Sequence, residues 1–281
     1  MLTESSYRKI TDVSTLSSVK AEMQELIAVH GEDADILTDF INHDPALSLT
    51  VLRTVNSAYF GFPRFIKTIR QAINLIGFER VLNIANSTSE IPSREETNDI
   101  KGLNIRSLWE HSIATAVAAS EIAKVVYELI EEDVFICGLL HDIGKIGLFQ
   151  HFPNYVEKIV EKARSKHALF YDAEKELSIF DHTIIGSQII KDWSLPETIK
   201  YVIKYHHKPF DSDRFQKHVL IVNLADVLAR SLVIGNPGDV SIPKLTSAVL
   251  IELDLEMSAL SKIFENVLKR CAGKVALYRY T

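Results

Sequence analysis

The sequence predicts an all-α, multi-helical protein with an N-terminal helical lobe, and three observations carry the prediction. Apolar residues recur at spacings of three and four along most segments. No stretch sustains the period-two alternation of a half-buried strand. Gly, Pro and Asp punctuate the apolar segments at intervals that suit short helices.

Residues 1–14 are polar and are expected to form a loosely held arm before a helical lobe over 15–100. Val19, Met23, Leu26 and Ile27 have helical spacing, and Gly31 closes that segment. Ile36, Leu37, Phe40 and Ile41 form a second helix. Asp44 then caps a third with Pro45 in its first turn, turning Leu47, Val51, Leu52 and Val55 inward until Gly61-Phe62-Pro63. Ile69, Ala72, Ile73 and Ile76 mark a fourth helix, broken at Gly77, and Val81, Leu82, Ile84 and Ala85 begin a fifth. Such a helix-Gly-helix stretch could read DNA, but Glu79, Arg80, Asn83 and Asn86 make a thin set of contacts on an acidic chain.

Ile91 to Asn104 reads as a polar linker into a second lobe over 101–235. The helix from Ser107 to about Leu129 is apolar over much of its circumference and therefore central. Asp133 to Leu140 is a further helix, ending in His141-Asp142 and a glycine turn at Gly144. His151 to Lys175 suggests one or two amphipathic surface helices. Asp181-His182 opens another through Ile190; Glu197 to His207 and Val219 to Leu232 follow. After the Gly/Pro-rich loop 235–243, the last segment, 236–281, holds two helices. The second places Leu260, Ile263, Phe264, Val267, Leu268 and Cys271 on one face, to dock on its own chain or on another subunit.

Composition narrows the function. The chain has 281 residues, 47% hydrophobic and 24% charged, as in ordinary globular proteins. No apolar run reaches the roughly 20 residues that span a bilayer, and the N-terminus lacks a basic-then-apolar leader, so a cytoplasmic location without membrane attachment is expected. Cys137 and Cys271 are too few for a disulfide framework. A net charge of −6 offers no footprint for nucleic acid, which is not expected as a partner.

The residues that packing explains poorly are His111, His141, Asp142, His182, His206, His207 and Asp226, each on an apolar helical segment. Neutral imidazole and ionised carboxylate are the donors that borderline divalent metals prefer, and burying several without a cation leaves unsatisfied polar groups. One or two divalent transition-metal ions (Fe, Mn, Zn, Ni or Co) are the expected cofactor. Asp142 can bridge two ions, with His111, His141 and Asp226 serving one and His182, His206 and His207 the other. Asp226 could instead merely pair with Arg230 one turn on. Lys145 could hold a phosphate oxygen beside the metals or be a solvated surface lysine. Asp142 and Lys145 are thus the candidate catalytic residues. His30, His43, His151, His167 and His218 fall in loops or polar segments and need no metal.

The order His111, His141-Asp142, His182, His206-His207, Asp226 resembles the HD superfamily of metal-dependent phosphohydrolases, and His141-Asp142-Ile143-Gly144-Lys145 is similar to its motif. His43-Asp44-Pro45-Ala46-Leu47 with Val55-Asn56-Ser57-Ala58-Tyr59-Phe60-Gly61 resembles the hallmark of the HDOD group, an HD-related output domain of bacterial signalling proteins. The chain is also similar to HD-GYP phosphodiesterases in its ligand set, but it has no Gly-Tyr-Pro segment after His207, and Ser107 stands where some of those enzymes carry an extra glutamate. The resemblance implies an HD-type helical fold and an output protein with a metal site. Its partners would be a phosphoester or nucleotide, a signalling protein or a second copy of the chain. It leaves two activities open, metal-dependent phosphoester hydrolysis and a non-catalytic binding module whose metal site is structural or vestigial.

Overall fold

The computed structural model describes residues 10, 12–92, 98–126, 131–178, 180–239 and 241–275, side chains of 273–275 excepted. It is all-α: fifteen α-helices and one 3-10 turn lie among the described residues, with only isolated β-bridges.

The first five helices follow the predicted punctuation. Helix α1 is Val19–His30, α2 Ala34–Ile41, α3 Pro45–Val55, α4 Ile69–Ile76 and α5 Phe78–Asn86. Asp33 caps α2 by accepting from the backbone N–H of Asp35 and Ile36 at 2.8 and 3.1 Å. Asp44 caps α3 in the same way through Ala46 and Leu47 at 2.7 and 3.0 Å, with Pro45 at the first helical position. Gly77, at φ 89°, reverses the chain between α4 and α5 in a conformation that only glycine adopts readily.

The buried Asp44 also accepts from the Thr15 hydroxyl, and Thr15 pairs with the strand-like segment 89–91 through Ser89 O and Ile91 N, both at 2.8 Å. Within the stretch read as a loose arm, Ile10 and Val13 are buried; residues 1–9 and 11 lie outside the described residues. Of the expected linker, 93–97 lie outside them too, and Ile91 beside them is buried.

The second half is built on α6, Ile105–Val126, which is buried from Leu108 through Ala123 apart from Glu110. Residues 127–130 of the expected helix are outside the described set. Helix α7, Glu131–Leu140, crosses α6 so closely that a β-carbon on Gly138 would stand 2.8 Å from Ala116 Cα. Two ion pairs tie α7 to the first lobe: Lys67 to Asp133 at 2.7 Å and Arg70 to Glu132 at 3.6 Å.

The glycine turn expected after His141-Asp142 is instead a new helix, α8, Ile143–His151. Gly144 serves packing: a β-carbon there would lie 2.0 Å from His182 O, so its absence lets α8 press onto the start of α11, His182–Asp192. Between them run α9, Pro153–Lys166, and α10, Phe170–Leu177. Helix α12 is Glu197–Tyr205, followed by the 3-10 turn Pro209–Asp211 and α13, Gln216–Ser231. After the loop come α14, Ser247–Glu252, and α15, Met257–Val275.

Helix α15 docks on its own chain, against α6. Leu260, Ile263, Val267 and Cys271 are buried, while Leu268 of the predicted face is exposed. Asn266 donates to Glu121 at 2.9 Å and Arg270 pairs with the same buried carboxylate at 2.5 Å.

Candidate metal centre

Five segments deliver the seven predicted residues to one place. His111 sits in the second turn of α6; His141 and Asp142 form the turn between α7 and α8, where Asp142 is the N-cap residue of α8. His182 is the first residue of α11, oriented by an Asp181 cap that accepts from Thr183 and Ile184 N–H at 2.9 and 3.1 Å. His206 and His207 leave the end of α12, and Asp226 lies midway along α13. All but the part-buried His207 are at most 2% exposed.

Their donor atoms fall into two groups, each within a mutual 4.8 Å: His111, His141 and Asp226 in one, Asp142, His182, His206 and His207 in the other. Asp142 lies between. Its Oδ2 is 3.4 Å from His141 Nε2 and 3.8 Å from His111 Nε2, while its Oδ1 is 3.3 Å from His182 Nε2 and 3.6 Å from His206 Nε2. One carboxylate oxygen thus faces each group.

Backbone and carboxylate acceptors fix the ring orientations. His141 Nδ1 donates to Gly138 O at 2.7 Å and His206 Nδ1 to Ile203 O at 2.8 Å, each one turn back. His182 Nδ1 donates to Glu174 Oε2 at 2.5 Å. Held through Nδ1, each ring turns its Nε2 toward Asp142. His207 instead stacks on Tyr171, ring centroids 4.4 Å apart, with Nε2 3.2 Å from His182 Nε2.

The charges are arranged to keep donors available. Burial opposes ionisation of Asp142, but the Lys145 ammonium at 2.9 Å, helped by His141 and His182, holds its carboxyl well below the usual carboxylate range. Burial likewise opposes ionisation of Asp226, and Arg230 overrides it through bonds at 2.7 and 2.8 Å. The pairing of Asp226 with Arg230 and its approach to His111 Nε2 at 3.0 Å therefore coexist. Burial pushes His111, His206 and His207 down, and crowding by other histidines adds to this, so all three are neutral at pH 7. His182 differs: burial disfavours its charge, but Glu174 and Asp142 lift it to about 9.

Lys145 is no surface lysine. It is 2% exposed, donates to Pro237 O at 3.1 Å and lies over the Phe170 ring, 5.1 Å from the centroid. His141 Nε2, His206 Nε2, both nitrogens of His111 and both oxygens of Asp142 are buried without a well-aligned hydrogen bond. Native interiors rarely leave so many polar atoms unsatisfied in one place. Imidazole and carboxylate donors gathered in this way fit one or two borderline divalent ions, whose binding at His182 would displace its Nε2 proton.

Sequence reasoning missed three supporting residues. Glu174, fully buried on α10, holds His182; Asp239 in the loop after α13 grips Arg230; Tyr171 backs His207. Glu174 sits in a stretch read as a surface helix, and only its complete burial sets it apart. A cavity of about 440 Å³, lined by His207, Asp226, Tyr171 and Lys208 among others, reaches the cluster from one side.

The HDOD domain family model matches residues 13–209. Among curated relatives, an uncharacterized protein of Treponema pallidum is 26% identical over 226 residues, which are 80% of this chain and 43% of that protein. Ribonuclease Y of Mycoplasma genitalium is 24% identical over 258 residues, 86% of this chain and 47% of that protein. The chain thus spans about half the length of the curated relatives it matches. Among solved structures, the MmoQ response regulator of Methylococcus capsulatus is similar with a TM-score of 0.71 and 22% identity, over 91% of this chain and 99% of that one. At that identity the likeness speaks to fold alone.

Proposed function

The chain belongs to the HDOD domain family, and on that premise we propose that it is a signalling output module that hydrolyses a phosphoester with the help of one or two divalent transition-metal ions. The observation that carries the reading is the convergence of seven candidate donor residues in two groups astride Asp142, with several inward atoms left without a well-aligned hydrogen bond. His111, His141 and Asp226 would hold one ion; His182, His206 and His207 would hold the other, with an Asp142 oxygen toward each. Such ions, when bound, supply a nucleophile at neutral pH and polarise a phosphoryl oxygen.

The chain's own residues prepare that chemistry. Lys145 keeps Asp142 ionised and places a buried positive charge next to it, where a phosphoryl oxygen gaining charge would be stabilised. Glu174 fixes His182 in one tautomer, and Arg230 orients Asp226 bidentately. The cavity at His207 and Asp226 admits the substrate from one side, and the apolar wall of Phe170 and Tyr171 limits water around Lys145 and His207.

A second reading rests on the depth of the cluster. Six of the seven residues are at most 2% exposed and Lys145 is already engaged by Asp142 and Pro237 O, an arrangement that also suits a structural metal in a ligand- or protein-binding module. One experiment separates the two. Protein purified without added metal is assayed for Fe, Mn, Zn, Ni and Co and for turnover of nucleotides, cyclic dinucleotides and bis(p-nitrophenyl) phosphate, beside Asp142→Asn. Metal with Asp142-dependent turnover supports hydrolysis. Metal without turnover supports the binding module, and metal content no higher than in a His141→Ala/Asp142→Ala double variant sinks both.

A further inference from the structure

The His43-Asp44 motif belongs to neither donor group. It lines a groove of about 720 Å³ between α1 and α2 that shares no lining residue with the His/Asp cluster.

The two helices present matching stripes to this groove. On α1, Val19, Glu22, Leu26 and Val29 follow at steps of three and four, so one face of the helix runs along the groove. That face covers about 15 Å at 1.5 Å per residue, close to three helical turns. On α2, Ile36 and Phe40 stand one turn apart, and Asp35 and Asp39 stand beside them at the same spacing. Apolar positions thus run along the middle, and carboxylates, with Glu25 added on α1, run along both walls.

Val29 is 71% exposed, an apolar side chain left uncovered at one end of the groove. Arg70, the arginine of the lining, pairs with Asp35 and with Glu132, so the open negative charge of the walls is concentrated in Glu22 and Glu25. Nucleic acid and anionic membrane are repelled by such walls.

We infer that this groove docks an amphipathic helix of a partner protein, about three turns long. Its apolar stripe would cover Leu26, Val29, Ile36 and Phe40, and lysines or arginines on its flank would face Glu22 and Glu25. Helix-in-groove recognition works through this combination of apolar anchors at i, i+3, i+4 and i+7 with charge matched at the rim. The inference is independent of metal or turnover.

The test is a polarisation titration of the whole chain against a dye-labelled synthetic helix of about three turns, with leucine on one face and lysine on its flank. Saturable one-to-one binding is expected. Val29→Glu and the double variant Glu22→Lys/Glu25→Lys should each weaken it at least about tenfold, or about 1.4 kcal/mol. Glu157→Lys, an exposed acid on α9, should leave it unchanged, and all variants should melt like the parent chain. A peptide of the same composition, scrambled to abolish the apolar face, binding as tightly would overturn the inference. So would indifference to the groove variants, or a concentration-dependent dimer that Val29→Glu abolishes, which would make the groove an interface between two copies.

Discussion

Glu174 carries no charge partner that its sequence neighbours reveal, yet it is fully buried against His182. A carboxylate in that position raises the basicity of the ring and locks its tautomer, and losing it lowers metal affinity by about 10–100-fold in comparable sites. Glu174→Gln keeps the shape and an acceptor oxygen but removes the charge. The expected outcome is a folded protein whose metal, measured by elemental analysis after dialysis against a weak chelator, falls by about tenfold. Retention of full metal content would mean that His182 needs no such support. At this scale the residue types of the donor set are readable in a sequence, because His and Asp on apolar segments are chemically conspicuous. Glu174, Asp239 and Tyr171 are ordinary residues on polar segments, and only their contacts with His182, Arg230 and His207 distinguish them.

Helix crossings set the geometry of the donors. Gly144 brings α8 against the backbone of His182, and an added methyl would fall 2.0 Å from that carbonyl oxygen, an overlap that backbone cannot yield to cheaply. Gly147, one turn on, would meet side-chain methyls and no backbone, Ile10 at 3.2 and 3.3 Å and Ile189 at 3.6 Å. Gly144→Ala should therefore cost upwards of about 3 kcal/mol in urea unfolding and displace His182 from Asp142, while Gly147→Ala should cost about 1 kcal/mol or less. Equal effects would refute the packing account. The α3 cap makes a second prediction at this scale. Burial raises Asp44 to about 6 despite its bonds to Thr15, Ala46 and Leu47. A carboxyl whose folded value is raised contributes stability that is full below about pH 4 and is lost as pH climbs through about 6, here on the order of 3 kcal/mol. Asp44→Asn can still cap α3 and meet the Thr15 hydroxyl, so its stability relative to the parent chain should rise between pH 4 and 7.5. Paired urea titrations across that range check this, and a difference flat with pH would refute it.

The molecule as a whole is a helical body in which α6 and α7 pack closely against each other and the His/Asp cluster joins α6, the α7–α8 turn, α11, α12 and α13. A ligand bound by all of them stabilises the folded state by mass action, about 2.7 kcal/mol at a hundred times its dissociation constant. Stripping metal with a chelator should lower the melting temperature by several degrees, since about 1 kcal/mol shifts a domain of this size by ~2–4 °C, and added Mn²⁺ or Zn²⁺ should restore it. A melting curve indifferent to chelator and metal would count against the metal centre. No helix among the described residues is long and apolar enough to cross a membrane.

By itself the sequence determined the helical class, the cap at Asp44, the break at Gly77 and which His and Asp residues stand out on apolar segments. These follow from interactions within a few residues: periodicity, capping and side-chain chemistry. The tertiary structure alone decided that α8 replaces a turn, that Gly144 is there for a helix crossing, that Lys145 is buried, and that Asp142 turns one oxygen to each donor group. It also decided that the His43-Asp44 motif lines a separate groove. Each of these depends on which segments, up to more than a hundred residues apart, lie against one another, and helical periodicity reports which face of a helix is buried but not what it is buried against.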